Sequence, residues 1–405
     1  MATTNLVRRW TGTSLVLRIF IGLVVGAVLG LLLPRWSWIG IPGSIFVWSL
    51  KAIAPILVCV LVISAIARAG KGLGGRFRTV ILLYLMSTLV AAFVAVGASH
   101  LFPVSLTLED AAHEAAPGSL KDVFDTLLLN LVANPVAALA SANYIGILFW
   151  SVLAGLALKL VASAGTIKAV GDIADALTLI VKLIIEFAPF GILGLVFSAV
   201  STSGLEVFTV YGRLVLLPAS CMLLNACIFN PLLSWICCGK NPYPLLWKCL
   251  KESGIPAFFT RSSAANIPVN LNLCKKLGLD EDFYSVSIPL GATVNMNGAA
   301  ATITVMSLAV AHTVGVEVGF VSSLILSIVV TLAACGTSGV AGGSLLLIPM
   351  ACSFIGIGSD VAMQAVAVGF IIGVIQDSIE TALNSSADVF FTATAEYREW
   401  RGKKA

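Results

Sequence analysis

Three carboxylates occur in a part of the chain that otherwise has the composition of a membrane interior. Residues 376–388 read QDSIETALNSSAD and follow AVAVGFIIGVI, which has no charge. At about 100° per residue, five polar side chains of this segment fall within about 100° of arc on a helix. This polar ribbon consists of Asp377, Glu380, Thr381, Asn384 and Asp388.

Ionisable groups inside a membrane cost free energy unless they are paired or hydrated, and they therefore indicate function. The carboxylates of the polar ribbon can bind a metal cation or the ammonium group of a solute. The alternative is a helix end whose charged face is solvated by the cytoplasm. That alternative is weaker because the apolar sequence FFTATA follows the ribbon, and the first basic residue comes only at Arg398.

A second segment, IPLGATVNMNGAAATITV (288–305), combines helix breakers with polar side chains. Pro289, Gly291 and Gly298 interrupt the apolar pattern. Asn295 and Asn297 lie in the break. A broken membrane helix frees backbone carbonyls and directs half-helix ends at the midplane, as in many cation sites. Glycine and asparagine can also simply mediate close helix packing.

A third segment, TRSSAANIPVN (260–270), places small polar residues between two apolar arms. Helix starts at such a tip present unpaired N–H groups to a carboxylate. Arg261 offers a positive partner for Asp377 or Glu380. The alternative is an interfacial turn whose arginine extends toward the membrane surface.

The composition requires a membrane protein. Hydrophobic residues make up 59% of the 405 residues, charged residues 11%, and the mean hydropathy is +1.02. Soluble domains carry about 25% charged residues. The runs without Asp, Glu, Lys or Arg are 79–108, 126–158, 214–239, 283–316 and 318–359. About 20 apolar residues cross the hydrocarbon core, so several spans are predicted.

The charge distribution predicts the topology. Basic residues concentrate at both ends and in 68–78, whereas 103–125 is acidic. The positive-inside rule therefore places both termini in the cytoplasm. Eight spans are predicted near 15–33, 44–67, 79–102, 126–158, 172–200, 207–236, 283–313 and 360–392.

Two apolar stretches remain outside these spans, 245–275 and 318–359. The second contains 42 uncharged residues with CGTSGVAGGS in its middle, too long for one crossing. We expect both to be re-entrant hairpins whose polar tips face protein or a watery cavity. The similar segments KAIAPILV and EFAPFGIL, in the second and fifth spans, indicate that spans one to three are repeated as spans four to six. Because each unit has an odd number of spans, the repeats would be inverted, an organisation typical of secondary transporters.

Other function classes find little support. Residues 336–339 read GTSG, like the nucleophile motif of intramembrane serine proteases, but no histidine follows His312 to act as the base. The nine cysteines form no CxxC pair, and the three histidines are dispersed, so a metal cluster is not expected. We therefore do not expect an enzyme. A passive ion channel remains an alternative.

At these residues the chain resembles the dicarboxylate/amino acid:cation symporter family, also called the glutamate transporter family. The resemblance covers nearly the whole length, and within the family it is strongest to the bacterial branch that carries serine and threonine. Its most specific elements are RSSAANIP, NMNGA in place of the family's NMDGT, GTSGVAGGS and the polar ribbon.

The resemblance implies an all-α fold of eight spans and two re-entrant hairpins that works as an elevator in a homotrimer. Residues 15–240 would form mainly the scaffold, with the third and sixth spans contributing to the transport domain. Residues 241–395 would form the core of that domain, and 1–14 and 396–405 would be cytoplasmic.

The resemblance also implies roles for individual residues. The substrate would be bound by Ser263, Val340, Gly342, Asp377, Glu380, Thr381 and Asn384, with Asp377 holding its ammonium and Arg261 in support. One sodium would be held by Gly291, Asn295, Asn384 and Asp388. A second would be held by Thr293, Ala334, Cys335 and Thr337. A third site, weakened or absent, would involve Tyr84, Ser87, Thr88 and Asn297.

Two departures from the family pattern predict specificity and coupling. Family members with acidic substrates carry an arginine three residues after the ammonium-binding aspartate, where this chain has Glu380. A carboxylate repels a second carboxylate but accepts a hydrogen bond from a hydroxyl. Asn297 and Ala299 replace the Asp and Thr of NMDGT, so we expect fewer coupled ions than in the glutamate transporters.

These observations together predict a sodium-coupled symporter that imports serine and threonine across a bacterial inner membrane. Its partners would be the amino acid, sodium ions and membrane lipid, with no nucleic acid. The alternative is a sodium-coupled carrier of acidic amino acids or C4-dicarboxylates.

Overall fold

The computed structural model describes residues 13, 15–68, 74–106, 129, 131–335, 337 and 342–404. Their regular structure is helical, and no β-strand occurs among them. The predicted all-α class is therefore confirmed.

The helices of the N-terminal part are α1 (Leu15–Leu32), α2 (Ile41–Arg68), α3 (Gly74–Leu101), α4 (Pro135–Ala140), α5 (Tyr144–Val161), α6 (Ala164–Glu186), α7 (Ala188–Ser203), α8 (Val207–Leu224) and α9 (Asn230–Cys238). Those of the C-terminal part are α10 (Tyr243–Cys249), α11 (Ile255–Thr260), α12 (Ser263–Lys276), α13 (Glu281–Val294), α14 (Asn297–Val314), α15 (Phe320–Ala334), α16 (Ile348–Phe354) and α17 (Ser359–Lys404). Short 3-10 helices cover Ser37–Gly40, Gly204–Glu206 and Ser344–Leu347, and π-helical turns cover Asn225–Phe229 and Leu250–Gly254.

Several helical stretches can cross a membrane. Among the described residues, five are long and apolar enough, and a sixth results if the pair α6–α7 counts as one span. The five are Ser37–Arg68, Gly75–Leu101, Phe208–Cys238, Glu281–Val314 and Ser359–Glu399. The chain is thus a multi-pass membrane protein, and the number of eight spans stays a prediction.

The predicted span 126–158 is not one helix in its described part, because α4 and α5 are separate. Asn134 Oδ1 accepts a hydrogen bond from the Val136 N–H at 2.9 Å, and Asn143 Oδ1 accepts one from the Gly146 N–H at 3.2 Å. Each asparagine caps the start of a new helix. The hydrophobic run therefore contains a break that its apolar composition conceals.

The predicted span 172–200 is divided between α6 and α7, which are bent by 53° relative to each other. Pro189 lacks an N–H and lies at the start of α7, where a proline is tolerated. Glycines of α1 pack directly on this segment: a Cβ at Gly22 would clash with Pro189 O, and one at Gly26 would clash with Leu193 O. Helices α1 and α7 therefore touch through their backbones.

Both predicted hairpin regions consist of helical arms separated by short turns. Between α11 and α12, Arg261 has a left-handed backbone (φ +51°), and Ser262 Oγ accepts a hydrogen bond from the Ala265 N–H. Between α15 and the 3-10 helix at Ser344–Leu347 lie residues 335–343, of which 336 and 338–341 are outside the described residues.

The predicted break in the 288–305 segment is present between α13 and α14, at Asn295 and Met296. Helix α14 beyond the break is buried along nearly its whole length. Helix α17 packs against α11, α12, α13 and α14. The polar ribbon thus faces both the α13–α14 break and the α11–α12 turn.

Candidate functional site

The polar ribbon of α17 is buried inside the protein. The exposed fractions of Asp377, Glu380, Asn384 and Asp388 are 2%, 5%, 3% and 0%. A solvated helix end would leave these side chains accessible to water, so that interpretation is excluded. Each buried carboxyl group needs a partner inside the protein or a bound ligand.

Asp377 is paired with a cation of the protein. Arg261 Nε donates to Asp377 Oδ2 at 2.8 Å, and both side chains are buried. The Gly342 N–H donates to Asp377 Oδ1 at 3.3 Å. A left-handed backbone is uncommon for a residue other than glycine, and at Arg261 it forms the turn from which the guanidinium reaches α17. The sequence left Asp377 and Glu380 open as partners of Arg261, and the structure brings it to Asp377.

Glu380 is surrounded by neutral donors. Thr302 Oγ1 donates to Glu380 Oε2 at 2.7 Å, Ser344 Oγ at 3.0 Å and Gln376 Nε2 at 2.5 Å. No lysine or arginine in the described part of the chain forms an ion pair with Glu380. Glu380 Oε2 therefore has hydrogen-bond donors, but no ion pair with a described residue neutralises the charge of the carboxylate.

Of the three carboxyl groups, Asp388 has the fewest hydrogen-bond donors among the described residues. Asn295 Nδ2 donates to Asp388 Oδ1 at 2.9 Å and to the Asn384 carbonyl at 3.2 Å. Asp388 Oδ2 is fully buried and receives no hydrogen bond from the described residues. A Cβ at Gly291 would lie 2.7 Å from Asp388 Oδ1 and 2.9 Å from the Tyr84 hydroxyl. A buried carboxylate oxygen without a hydrogen-bond donor fits a hard cation such as sodium.

The residues expected around a second sodium lie near one another. Cys335 Sγ at the end of α15 is 3.5 Å from Val294 O, next to Thr293 at the end of α13. Thr337 Oγ1 donates to Ala334 O at 2.8 Å. The Thr293 hydroxyl donates to its own helix. The structure therefore places two helix ends with clustered carbonyl and hydroxyl groups side by side.

The residues expected around a weakened third site are Tyr84, Ser87, Thr88 and Asn297. Asn297 Nδ2 donates to Ser87 Oγ at 3.1 Å, and Ser87 Oγ donates to Asn230 Oδ1 at 2.7 Å. The Tyr84 hydroxyl instead contacts the main-chain oxygen of Asp388 at 3.2 Å. The Asn297 amide thus donates a hydrogen bond to Ser87, whereas a carboxylate at this position could only accept one. The groups in this cluster are neutral.

The remaining predicted substrate residues have fewer contacts. Ser263 and Thr381 are buried and lie within helices α12 and α17. Gly342 reaches Asp377 through its N–H. Val340 lies outside the described residues.

A polar seam fixes α12 against α17. Asn266 Nδ2 donates to Ser385 Oγ at 2.8 Å, and Asn270 Nδ2 donates to Ser385 O at 3.1 Å. Asn266 Nδ2 also donates to the main-chain oxygen of Ser253 at 3.2 Å. Four buried polar residues thereby hold the turn that carries Arg261 in place beside the ribbon.

Reasoning from the sequence did not identify Thr302, Ser344, Gln376 and Asn230. Gln376 could have been found, because it lies one helical turn before Glu380 on the same face. Thr302 and Ser344 gave no signal, since both are ordinary small residues in apolar runs. Asn230 follows a π-helical turn in an otherwise apolar helix, which is a weak indication of a special site.

Comparison with known proteins agrees with this architecture. The sodium:dicarboxylate symporter family model matches residues 15–397. The serine/threonine transporter SstT of Bifidobacterium adolescentis is 56% identical over 392 residues, covering 96% of this chain and 91% of that relative. The protein of the same name from Streptococcus thermophilus is 54% identical over 394 residues, covering 97% and 98%.

A multi-pass helical protein whose buried carboxyl groups face a break between neighbouring helices has the features of a secondary transporter. The chain belongs to the sodium:dicarboxylate symporter family. It is therefore a transporter and not an enzyme, and the family resemblance inferred from the sequence motifs is confirmed.

Proposed function

We propose that the protein is a sodium-coupled symporter that imports serine and threonine. The observation that carries the proposal is the environment of Glu380, a buried carboxyl group that meets only hydroxyl and amide donors. A substrate carboxylate beside it would meet like-charge repulsion, whereas a hydroxyl would find an acceptor. The names of the relatives, serine/threonine transporter, support the same substrate class.

In this proposal Asp377 binds the substrate ammonium. Its Oδ2 is engaged by Arg261, and its Oδ1 has only a backbone hydrogen bond of 3.3 Å. A carboxylate has about four acceptor positions, so Oδ1 retains capacity for an ammonium group. Thr381 and Asn384 would contact the amino acid backbone. Ser263, Val340 and Gly342 would surround the substrate from the two turns.

Sodium would bind where the protein supplies anionic or carbonyl oxygen without its own cation. Asp388, with Asn295, Asn384 and Gly291, would form one site. Thr293 with Ala334, Cys335 and Thr337 would form a second. The third family site would be weak or absent, since the Asn297 amide already bonds to Ser87.

The same proposal includes the finer architecture. Eight spans, two re-entrant hairpins and inverted repeats would divide the chain into a scaffold (mainly 15–240) and a moving core (241–395). The helix–turn–helix layout at 245–275 and the interrupted layout at 318–359 support this division. The protein would be a homotrimer in a lipid bilayer, the bacterial inner membrane, with residues 1–14 and 396–405 in the cytoplasm.

The test is uptake of labelled L-serine into proteoliposomes under an inward sodium gradient. We expect saturable, sodium-dependent uptake that threonine blocks and aspartate does not. Uptake of aspartate under the same gradient would contradict the proposed specificity and favour an acidic-substrate carrier. Flux without saturation or sodium dependence would contradict symport and indicate a channel.

A single substitution sharpens the specificity test. Glu380→Arg replaces an acceptor by a donor, so serine uptake should fall and competition by aspartate should increase. Thr304→Val is a suitable control, because the buried Thr304 hydroxyl has no hydrogen-bond partner among the described residues. Unchanged serine uptake in Glu380→Arg would show that Glu380 does not bind the substrate.

A further inference from the structure

The two oxygens of the Glu380 carboxyl group are in unequal surroundings. All three hydrogen bonds that the described residues give to this carboxyl group end on Oε2. The donors come from separate elements: Thr302 from α14, Ser344 from the 3-10 helix after the 335–343 turn, and Gln376 from α17. Three elements thus converge on a single oxygen atom.

The hydrogen atoms of this cluster can be assigned. Gln376 Nε2 has two N–H bonds and lies 2.6 Å from Thr302 Oγ1 and 2.5 Å from Glu380 Oε2. The amide therefore donates to both atoms. The Thr302 hydroxyl, which accepts from Gln376, has one proton to donate, and of its two acceptors Glu380 Oε2 at 2.7 Å is closer than Gly298 O at 3.2 Å. The Ser344 hydroxyl supplies the third hydrogen.

An oxygen with three donors has no room for a fourth. A carboxylate oxygen offers about two lone-pair positions, so Oε2 is saturated by the protein itself. Oε1 receives no hydrogen bond from the described residues, and the side chain remains 5% exposed. The only acceptor position that Glu380 retains for a substrate hydroxyl is therefore Oε1.

We propose that Thr302, Ser344 and Gln376 are positioning residues that hold Oε2 of Glu380 and so aim Oε1 at the hydroxyl of the substrate. This inference rests on the proposed function, in which Glu380 accepts that hydroxyl. It adds that the preference for hydroxyl amino acids is set by three residues that do not touch the substrate. It also means that the carboxyl orientation depends on contacts between α14, α17 and the segment beginning at Ser344.

The inference makes a prediction that separates recognition of the hydroxyl from general binding. Alanine has the same ammonium and carboxylate groups as serine but no hydroxyl. Removing a donor from Oε2 frees the Glu380 side chain to rotate, which weakens serine binding and leaves alanine binding unchanged. The expected readout is the ratio of the KM for serine to the inhibition constant of alanine, both from proteoliposome uptake at saturating sodium.

The variants are Thr302→Val, Ser344→Ala and Gln376→Leu, each of which deletes one donor. Each should raise the KM for serine by about tenfold, the effect of weakening one hydrogen bond to a charged group. The inhibition constant of alanine should change by less than about twofold on the same reasoning. Thr302→Ser, which retains the hydroxyl, should restore the wild-type ratio.

Two matched controls lie on the same helix as Thr302. The buried Thr304 hydroxyl has no hydrogen-bond partner among the described residues, and the Ser307 hydroxyl donates only to Ile303 O of its own helix. Thr304→Val and Ser307→Ala should leave the ratio unchanged. They also show how much the loss of a buried hydroxyl group of α14 that does not contact Glu380 changes the KM for serine and the inhibition constant of alanine.

The outcomes separate this inference from the function on which it rests. If the three variants impair serine and alanine equally, their role is general packing and the inference is wrong. It is also wrong if Glu380→Gln abolishes the preference for serine while the three variants keep it. If the wild type shows no preference for serine, or if Glu380→Gln leaves that preference intact, the role of Glu380 itself is wrong.

Discussion

Asp377 and Asp388 lie on the same face of α17, three turns apart, and the protein treats them differently. Asp377 has a cationic partner in Arg261 and a backbone donor in Gly342. Asp388 has one amide donor, Asn295, and a second oxygen with no partner among the described residues. Both carboxyl groups are buried, so the difference lies in charge and not in exposure.

This difference indicates which ligand each carboxyl group suits. An ionised Asp377 with Arg261 forms a neutral pair, and its remaining acceptor capacity can orient an ammonium group whose own charge is balanced by the substrate carboxylate. An ionised Asp388 leaves a net negative charge among neutral groups, which a monovalent cation would balance. In the proposed function, the ribbon therefore separates a position for a zwitterion from a position for a bare ion.

The substitution with the largest expected effect removes the charge of Asp388. Asp388→Asn should lower sodium-dependent serine uptake by about 100-fold or more, the consequence of losing a buried charge that binds its counter-ion. Uptake as a function of sodium concentration measures the effect. Ser386→Ala, which alters only a hydroxyl bonded to its own helix, is the control. Normal sodium dependence in Asp388→Asn would contradict the assignment of Asp388.

Asp377→Asn tests the other half of the comparison. It should raise the KM for serine by about 10- to 100-fold, because the ammonium loses a charged acceptor. The sodium concentration for half-maximal uptake should change little. Arg261→Met combined with Asp377→Asn avoids leaving the guanidinium unpaired. An equal loss of serine and sodium affinity would show that the two carboxyl groups do not act separately.

Gly291→Ala tests how closely the proposed sodium ligands pack. The added Cβ would lie 2.7 Å from Asp388 Oδ1, and overpacking of this kind costs about 1–3 kcal/mol. The apparent sodium affinity should fall by about tenfold by the same estimate. Gly97→Ala is the matched control, since no atom lies within 4 Å of a Cβ there. Equal effects of the two substitutions would contradict a close approach at Asp388.

The smallest effect is expected at a partly exposed counterpart of the Arg261–Asp377 pair. Arg76 Nη1 lies 2.8 Å from Asp280 Oδ2, and this hydrogen bond lowers the pKa of Asp280 below its usual value. A lowered folded-state pKa stabilises the protein above the unfolded pKa, and the stabilisation is lost as the pH falls through the folded pKa. Arg76 Nε also lies 2.7 Å from Glu399 Oε2, so Arg76→Ala removes two partly exposed ion pairs. It should lower Tm by about 1–2 °C at pH 7, since such pairs contribute little.

The pH dependence of the difference in Tm between Arg76→Ala and the wild type provides the control. At about pH 3, below the unfolded pKa of an aspartate, the difference in Tm between Arg76→Ala and the wild type should shrink. Serine uptake at pH 7 should be unchanged. A difference in Tm that grows toward low pH would contradict the ion-pair explanation.

Local patterns predicted much of the site. The helical period of 376–388 placed five polar residues on one face, and four of them have exposed fractions of 5% or less in the structure. The helix break at Asn295 and Met296 was predicted from Pro289, Gly291 and the asparagines. These features depend on neighbours within a few turns, which a single sequence displays directly.

Features that depend on distant partners could not be predicted. Thr302 and Ser344 are 78 and 36 residues from Glu380 along the chain, and nothing near them marks the contact. The choice of Asp377 as the partner of Arg261 depends on a left-handed turn. Hydrophobicity alone likewise failed to show that Asn143 starts a new helix within the span predicted at 126–158.

The order of α17 and its partners along the sequence has a consequence for biosynthesis. Each aspartate at the centre of a membrane helix costs about 2.5–3.5 kcal/mol during insertion, so this helix is a poor candidate for entering the bilayer alone. The residues that contact its acids, Arg261, Asn295 and Thr302, all precede it. By the time α17 leaves the ribosome, its partners have already been made, and its insertion is coupled to the folding of the helices before it.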